Sequence, residues 1–194
     1  MTDLNHIKQN TIDKPTSLTG FDFLDNYEKL PQEHKDQIFI LDKEASKFIY
    51  DFLDNSKMTD KVNPQNYDGK NWRPFPANYF KTIEEFTDFR DFSLVKKWLY
   101  KRGIPFKTNV FLLPNYGSQP VLTTWKIVLK YSEDIFFNDD IIIFDQTINW
   151  CLYFFHHDHL YFGKDNIFDS ELEYSKMKEW NLLKAKYPNL RFPF

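Results

Sequence analysis

The chain has 194 residues, 25 of them basic and 28 acidic, and a formal net charge of −3. This length fits one domain with a substantial core, and the near balance of charge argues against a general nucleic-acid binder and against attraction to anionic membrane surfaces. The single cysteine, Cys151, excludes an intramolecular disulfide and a cysteine-based zinc cage, so we expect a protein of a reducing compartment, the cytoplasm.

The N-terminal residues are polar and lack the apolar stretch of a secretory signal. We therefore expect a flexible N-terminal arm over residues 1–17 and a single α+β domain over residues 18–194. No apolar run approaches the ~20 residues of a membrane helix. Aromatic residues make up 19% of the chain, which fits either a recognition surface or a compositional bias that places Phe where Leu would serve in the core.

The first elements are predicted to be short. Residues 22–30 favour a helix that Pro31 ends, and residues 37–41 favour a strand. Asp42 is then expected to cap a longer helix. The apolar residues of that helix recur at helical spacing: Ala45, Phe48, Ile49, Phe52 and Leu53.

Residues 55–78 contain three prolines and one glycine and predict a long irregular connection. A helical region is expected from about Thr82, with a break near Asp91. Its second half ends at Gly103, which is typical of a helix C-terminus.

The C-terminal half predicts mostly strands, beginning at residues 107–113. Residues 118–129 fit a helix, with a strand as the alternative because of their β-branched content. Three further strands in a meander are predicted over residues 140–144, 150–155 and 160–162. The second of these is apolar on both faces, which is typical of a central strand.

Ser170 and Glu173 form the capping box of a last helix. Its apolar stripe is predicted to be Tyr174, Met177, Trp180, Leu183 and Tyr187. The fold class is therefore α+β: N-terminal helices, a mostly antiparallel sheet of about four strands in the C-terminal half, and a C-terminal helix packed on it.

Three of the five histidines lie within residues 156–159, in the sequence His-His-Asp-His. If the middle two residues form a hairpin turn, His156 and His159 face each other and could bind zinc or nickel. Such a site would make the chain a metal-dependent enzyme or a metal binder, but a metal site normally needs three or four ligands, more than one hairpin tip supplies. The alternative is a solvated polar turn.

Acidic residues cluster around one predicted helix and the strand after it: Glu133, Asp134, Asp139, Asp140 and Asp145. They could form a patch that meets a basic partner, or they could simply cap turns. Trp72, beside Arg73 in a proline-rich loop, could anchor a partner or could fold back over the core.

Signs of catalysis are few. The sequence contains no phosphate-binding glycine loop, no nucleophile elbow and no H-E-x-x-H motif. Cys151 lies in an apolar strand, where a thiol packs rather than reacts. We expect no cofactor and, on balance, no enzymatic activity.

Four runs in the C-terminal half resemble those of small bacterial immunity-type proteins. They lie within residues 124–131, 138–142, 150–156 and 160–163, and the resemblance spans residues 121–163. It implies a cytoplasmic protein that binds and neutralises a cognate toxin or another protein partner. It implies no catalytic residues, because such proteins block their targets by binding. The charge balance, for its part, predicts no nucleic-acid or membrane partner.

Overall fold

A computed structural model describes residues 5–15, 21–59, 73–114, 118–137 and 139–190. The helices of these residues are α1 (Asn5–Lys8), α2 (Asp22–Asp25), α3 (Gln32–Lys35), α4 (Lys43–Ser56), α5 (Phe92–Tyr100), α6 (Trp125–Lys130), α7 (Ser132–Ile135) and α8 (Ser170–Lys186), with a 3₁₀ turn at Tyr27–Lys29. The strands are β1 (Thr11–Ile12), β2 (Phe39–Leu41), β3 (Phe80–Phe86), β4 (Asn109–Leu113), β5 (Val121–Thr124), β6 (Ile141–Phe144), β7 (Trp150–Phe155) and β8 (His159–Asn166).

The predicted α+β class is confirmed, but the prediction of about four strands is wrong. The described residues form one sheet of eight strands in the order β1-β2-β5-β4-β6-β7-β8-β3, and every pairing is antiparallel. Three of the strands precede residue 90, including β1, which lies within the segment expected to be a flexible arm and pairs with β2.

Helices cover both faces of the sheet. Helices α4 and α8 pack on one face, and α2, α5, α6 and α7 pack on the other. Strand β7 lies between β6 and β8, and all six of its residues are buried. Its side chains alternate between the two cores, so the prediction of a central strand covered on each side is confirmed.

Helix α4 forms as predicted. The Asp42 carboxylate accepts a hydrogen bond of 2.8 Å from the amide of Ala45, a cap that stabilises such helices by about 1 kcal/mol. All five residues of the predicted apolar stripe are at most 3% exposed. The helix ends where Lys57 adopts a left-handed backbone conformation, with φ of 55°.

Two helix predictions are corrected by the sheet. Residues 80–86 form β3, an edge strand paired with β8, rather than the first half of a helix; charged side chains are common on such edges. The second half of that predicted helix does form, as α5. Residues 121–130 divide into β5 and α6, so both alternatives for this stretch hold in part.

The C-terminal helix α8 is present and packs beside α4, with the Tyr187 ring 5.5 Å from that of Phe48. Its N-cap is Asp169 rather than Ser170, because the Asp169 carboxylate accepts hydrogen bonds from the backbone amides of the first turn. The predicted stripe is also wrong in part: Tyr174 and Met177 are exposed, whereas Lys176 is fully buried.

Candidate partner-binding surface

Three exposed acidic residues, Glu133, Asp134 and Asp139, lie in the segment between α6 and β6. The buried side chains of Ile135 and Phe136 hold it against the core, where the Phe136 ring lies 5.4 Å from that of Phe154. The next residue, Phe137, therefore turns outward and is 63% exposed. We call residues 133–140 the acidic segment; Asn138 within it lies outside the described residues.

Exposed carboxylates flank this aromatic ring along the chain. Glu133 and Asp134 lie in α7, Asp139 follows Phe137 by two residues, and all three are exposed. Sequence patterning identified these acids but missed Phe137, because the sequence does not show which of the adjacent residues Phe136 and Phe137 is buried in the core. An exposed large aromatic within a charged rim is typical of an interface anchor.

Asp140 has a structural role. One of its carboxylate oxygens accepts a hydrogen bond of 2.9 Å from the amide of His156 and lies 2.7 Å from that residue's Nδ1. The other accepts a bond of 3.0 Å from the hydroxyl of Tyr153. Burial raises the pKa of Tyr153, and the neighbouring Asp140 carboxylate raises it further. Asp140 therefore ties the start of β6 to the β7–β8 hairpin.

Asp145 is buried and belongs to a turn rather than to the surface. Its carboxylate accepts a 2.9 Å bond from the indole Nε1 of Trp150 and bonds from the amide and hydroxyl of Thr147. The structure thus separates the five acidic residues into three that face solvent and two, Asp140 and Asp145, that hold turns in place.

The histidine cluster forms the tip of the β7–β8 hairpin. The tip has three residues, 156–158, and the register pairs His159 with Phe155 rather than with His156. The His156 ring packs on His157, 4.2 Å between centroids, while the His159 ring lies 5.2 Å from Tyr161. Among the described residues, no group of three or more His, Cys, Asp and Glu side chains is arranged to hold a metal ion.

Trp72, the remaining predicted contact residue, lies outside the described residues. Its neighbour Arg73 is held against β3 and β8: the guanidinium Nε lies 3.0 Å from an oxygen of Glu85, and the group stacks 5.9 Å from the ring centre of Tyr161.

The chain matches no protein-family model, and no curated protein is significantly similar to it in sequence. Within the part of the chain that the structure describes, no helix is long and apolar enough to cross a membrane.

The one thiol of the chain lies in the core and gives no nucleophile. Cys151 is fully buried in β7, and burial raises its pKa well above the ordinary value. Because the thiolate is the reactive form, a thiol in this environment is inert.

Proposed function

We propose that this chain is a non-enzymatic protein-binding module of the bacterial immunity type, which acts in the cytoplasm and neutralises a cognate toxin by binding it directly. The observation that carries the proposal is the exposed ring of Phe137 among the exposed carboxylates of the acidic segment. The resemblance to immunity-type proteins supports it, because residues 121–163 build the α6–α7 unit and the strands that hold this segment.

The segment has the chemistry of a docking site for a basic protein surface. Complementary charges raise the rate of encounter and fix the orientation of the partner. An aromatic side chain that becomes buried on binding contributes about 1.5–3 kcal/mol. If the toxin is a basic nuclease, the carboxylates would occupy the positions that nucleic-acid phosphates take in its active site.

The proposal is tested by co-expression with the toxic product of the neighbouring gene. Growth rescue and a stoichiometric complex are the expected results. Phe137→Ala should weaken the complex by about 30-fold, which corresponds to roughly 2 kcal/mol. Its matched control is Phe168→Ala, since Phe168 is 79% exposed and lies just before α8.

Charge is tested by a second pair of variants with equal changes in net charge. Glu133→Lys with Asp139→Lys should lower the association rate, whereas Glu44→Lys with Glu171→Lys, on α4 and α8, should not. Asp140 is left intact because of its structural bonds. A neighbour that is not neutralised, or a Phe137→Ala protein that binds as tightly as the Phe168→Ala control, would overturn the proposal.

A further inference from the structure

The near-neutral net charge conceals a strong separation of charge along the chain. Residues 92–132 contain no acidic residue and seven basic ones: Lys96, Lys97, Lys101, Arg102, Lys107, Lys126 and Lys130. The remaining residues carry 18 basic and all 28 acidic side chains, a net charge of −10. The basic stretch includes α5, β4, β5 and α6, and it ends directly before the acidic segment begins.

Part of this basic stretch lines a groove between α5 and α6. We call it the basic groove, with a volume of about 290 Å³ and lined by Lys96, Tyr100, Phe106, Lys126, Leu129 and Lys130. The rings of Tyr100 and Phe106 pack edge to face, 5.9 Å between centroids, yet each is more than half exposed. The groove therefore presents an apolar floor with cations at its rim.

Within the described part of the chain, no carboxylate neutralises the cations at this rim. None of the three groove lysines forms an ion pair with another described residue. Arg102 from the same stretch differs, because its guanidinium is turned inward, stacked 4.1 Å from the Trp98 ring centre and 2.6 Å from an oxygen of Glu84. An occupant of the groove must therefore supply both negative charge and an apolar side chain.

The acidic segment has that chemistry, and it lies next to the groove. Helix α6 packs against both α5 and α7, and all three cover the same face of the sheet. Only Tyr131 separates α6 from α7. Each molecule thus carries a positive apolar groove and a negative segment with an exposed aromatic ring side by side.

We propose that the groove is occupied by a second copy of this chain. In a twofold pair, Phe137 of each copy packs on the Tyr100 and Phe106 rings of the other, and the Glu133 and Asp134 carboxylates face the partner copy's Lys126 and Lys130. Such a pair is isologous, because both copies use the same surface. Each contact between a groove and a segment is therefore formed twice, once in each direction between the two copies.

The side-by-side placement favours a second copy over other anionic partners. A uniformly acidic protein is attracted by the groove but repelled by the acidic segment beside it, whereas a copy rotated by half a turn brings opposite charges together at both places. A nucleic acid longer than the groove is repelled by the rest of the chain, because the remaining residues carry a net charge of −10. The inference does not rest on the proposed function, although a toxin bound at the acidic segment would compete with the pairing.

The test is the mass of the purified full chain in solution, measured by sedimentation equilibrium over a range of concentrations. At low salt the mass should rise with concentration from 23.6 kDa towards twice that value. It should return to the monomer value at about 0.5 M salt, because ions then screen charges beyond a few ångströms.

Two charge-reversal variants locate the contact. With Lys126→Glu and Lys130→Glu, the basic groove becomes acidic like the acidic segment. With Glu133→Lys and Asp134→Lys, the acidic segment becomes basic like the groove. Each variant alone should therefore stay monomeric. An equimolar mixture should restore the dimer, since each patch then meets its opposite. Lys47→Glu with Lys178→Glu, on the other face of the sheet, is the matched control and should dimerise like the native chain.

Three results would overturn the inference. A native chain that is monomeric at all concentrations has no such pairing. A dimer that persists in both reversal variants uses another surface. A mixture that stays monomeric shows that the basic groove and the acidic segment do not pair with each other. Circular dichroism spectra of the variants establish that they are folded. Growth rescue by the native chain reports on the proposed function independently of each of these results.

Discussion

Asp139 and Asp140 are adjacent in sequence, yet the structure gives them opposite roles, and this difference can be measured. Asp139 is exposed, whereas the Asp140 side chain is 14% exposed and accepts hydrogen bonds from His156 and Tyr153. We expect Asp140→Ala to lower the free energy of unfolding and Asp139→Ala to leave it within about 0.5 kcal/mol of the native value.

The expected magnitude follows from the three contacts of the Asp140 carboxylate. A hydrogen bond to a charged group contributes about 1.5–3 kcal/mol when it is buried. The His156 side chain is 44% exposed, so its ring contact contributes less than that. We therefore expect Asp140→Ala to cost roughly 3 kcal/mol and Asp140→Asn, which keeps one acceptor oxygen, about half of that.

Urea unfolding followed by far-UV circular dichroism measures these differences directly. An unchanged dependence of the unfolding free energy on urea concentration would show that only stability has changed. Asp139→Ala serves as the matched control at the neighbouring position. If the two alanine variants unfold at the same urea concentration, the structural role assigned to Asp140 is refuted.

Three further predictions concern the core. A Cβ atom at Gly163 would overlap the Phe80 ring, so Gly163→Ala should cost about 1–3 kcal/mol in urea unfolding, less in a Phe80→Leu background; equal costs in both backgrounds would exclude the clash. Burial raises the pKa of Tyr50 and Tyr79 above their ordinary value of 10, so the stability that their protonated forms provide should be complete below pH 10 and lost as the pH rises above it; unfolding free energies between pH 8 and 11 check this, together with the tyrosinate absorbance that Tyr50→Phe and Tyr79→Phe remove, and removal of absorbance near pH 10 in the folded protein would contradict it. The Cys151 thiol should react with a thiol reagent only after urea unfolds the chain, and labelling of the folded chain at the rate of an exposed thiol would refute its burial.

Sequence patterning predicts elements well where one face of the element is uniformly apolar. Helix α4 has a clean stripe and a capping aspartate, and strand β7 is apolar throughout, so their positions and environments were both predictable. Strand β3 was not predictable, because charged residues, which an edge strand tolerates, interrupt its alternation of apolar and polar residues. Its pairing with β8 is a long-range contact that local sequence does not encode.

Helix α8 shows how a buried charge misleads periodicity. The buried or partly buried positions Leu172, Lys176, Trp180, Leu183 and Tyr187 form a proper helical stripe. Because lysine is not apolar, hydrophobic periodicity leaves out Lys176 and predicts Met177 on the buried face instead. The Lys176 ammonium is accommodated only because Glu173 of the same helix and Tyr79 from a distant segment receive its hydrogen bonds.

The candidate surface illustrates the same limit for charge. Five acidic residues in a short stretch suggest a patch, but sequence does not show which carboxylates are consumed by turns. The net charge does not describe how charges are arranged, because a value of −3 is compatible both with an even distribution and with the separation found here. Attraction between surfaces acts over about 10 Å at ordinary ionic strength. Local arrangement therefore decides which partners this molecule attracts, and here it places a basic groove directly beside an acidic segment on one face of the sheet.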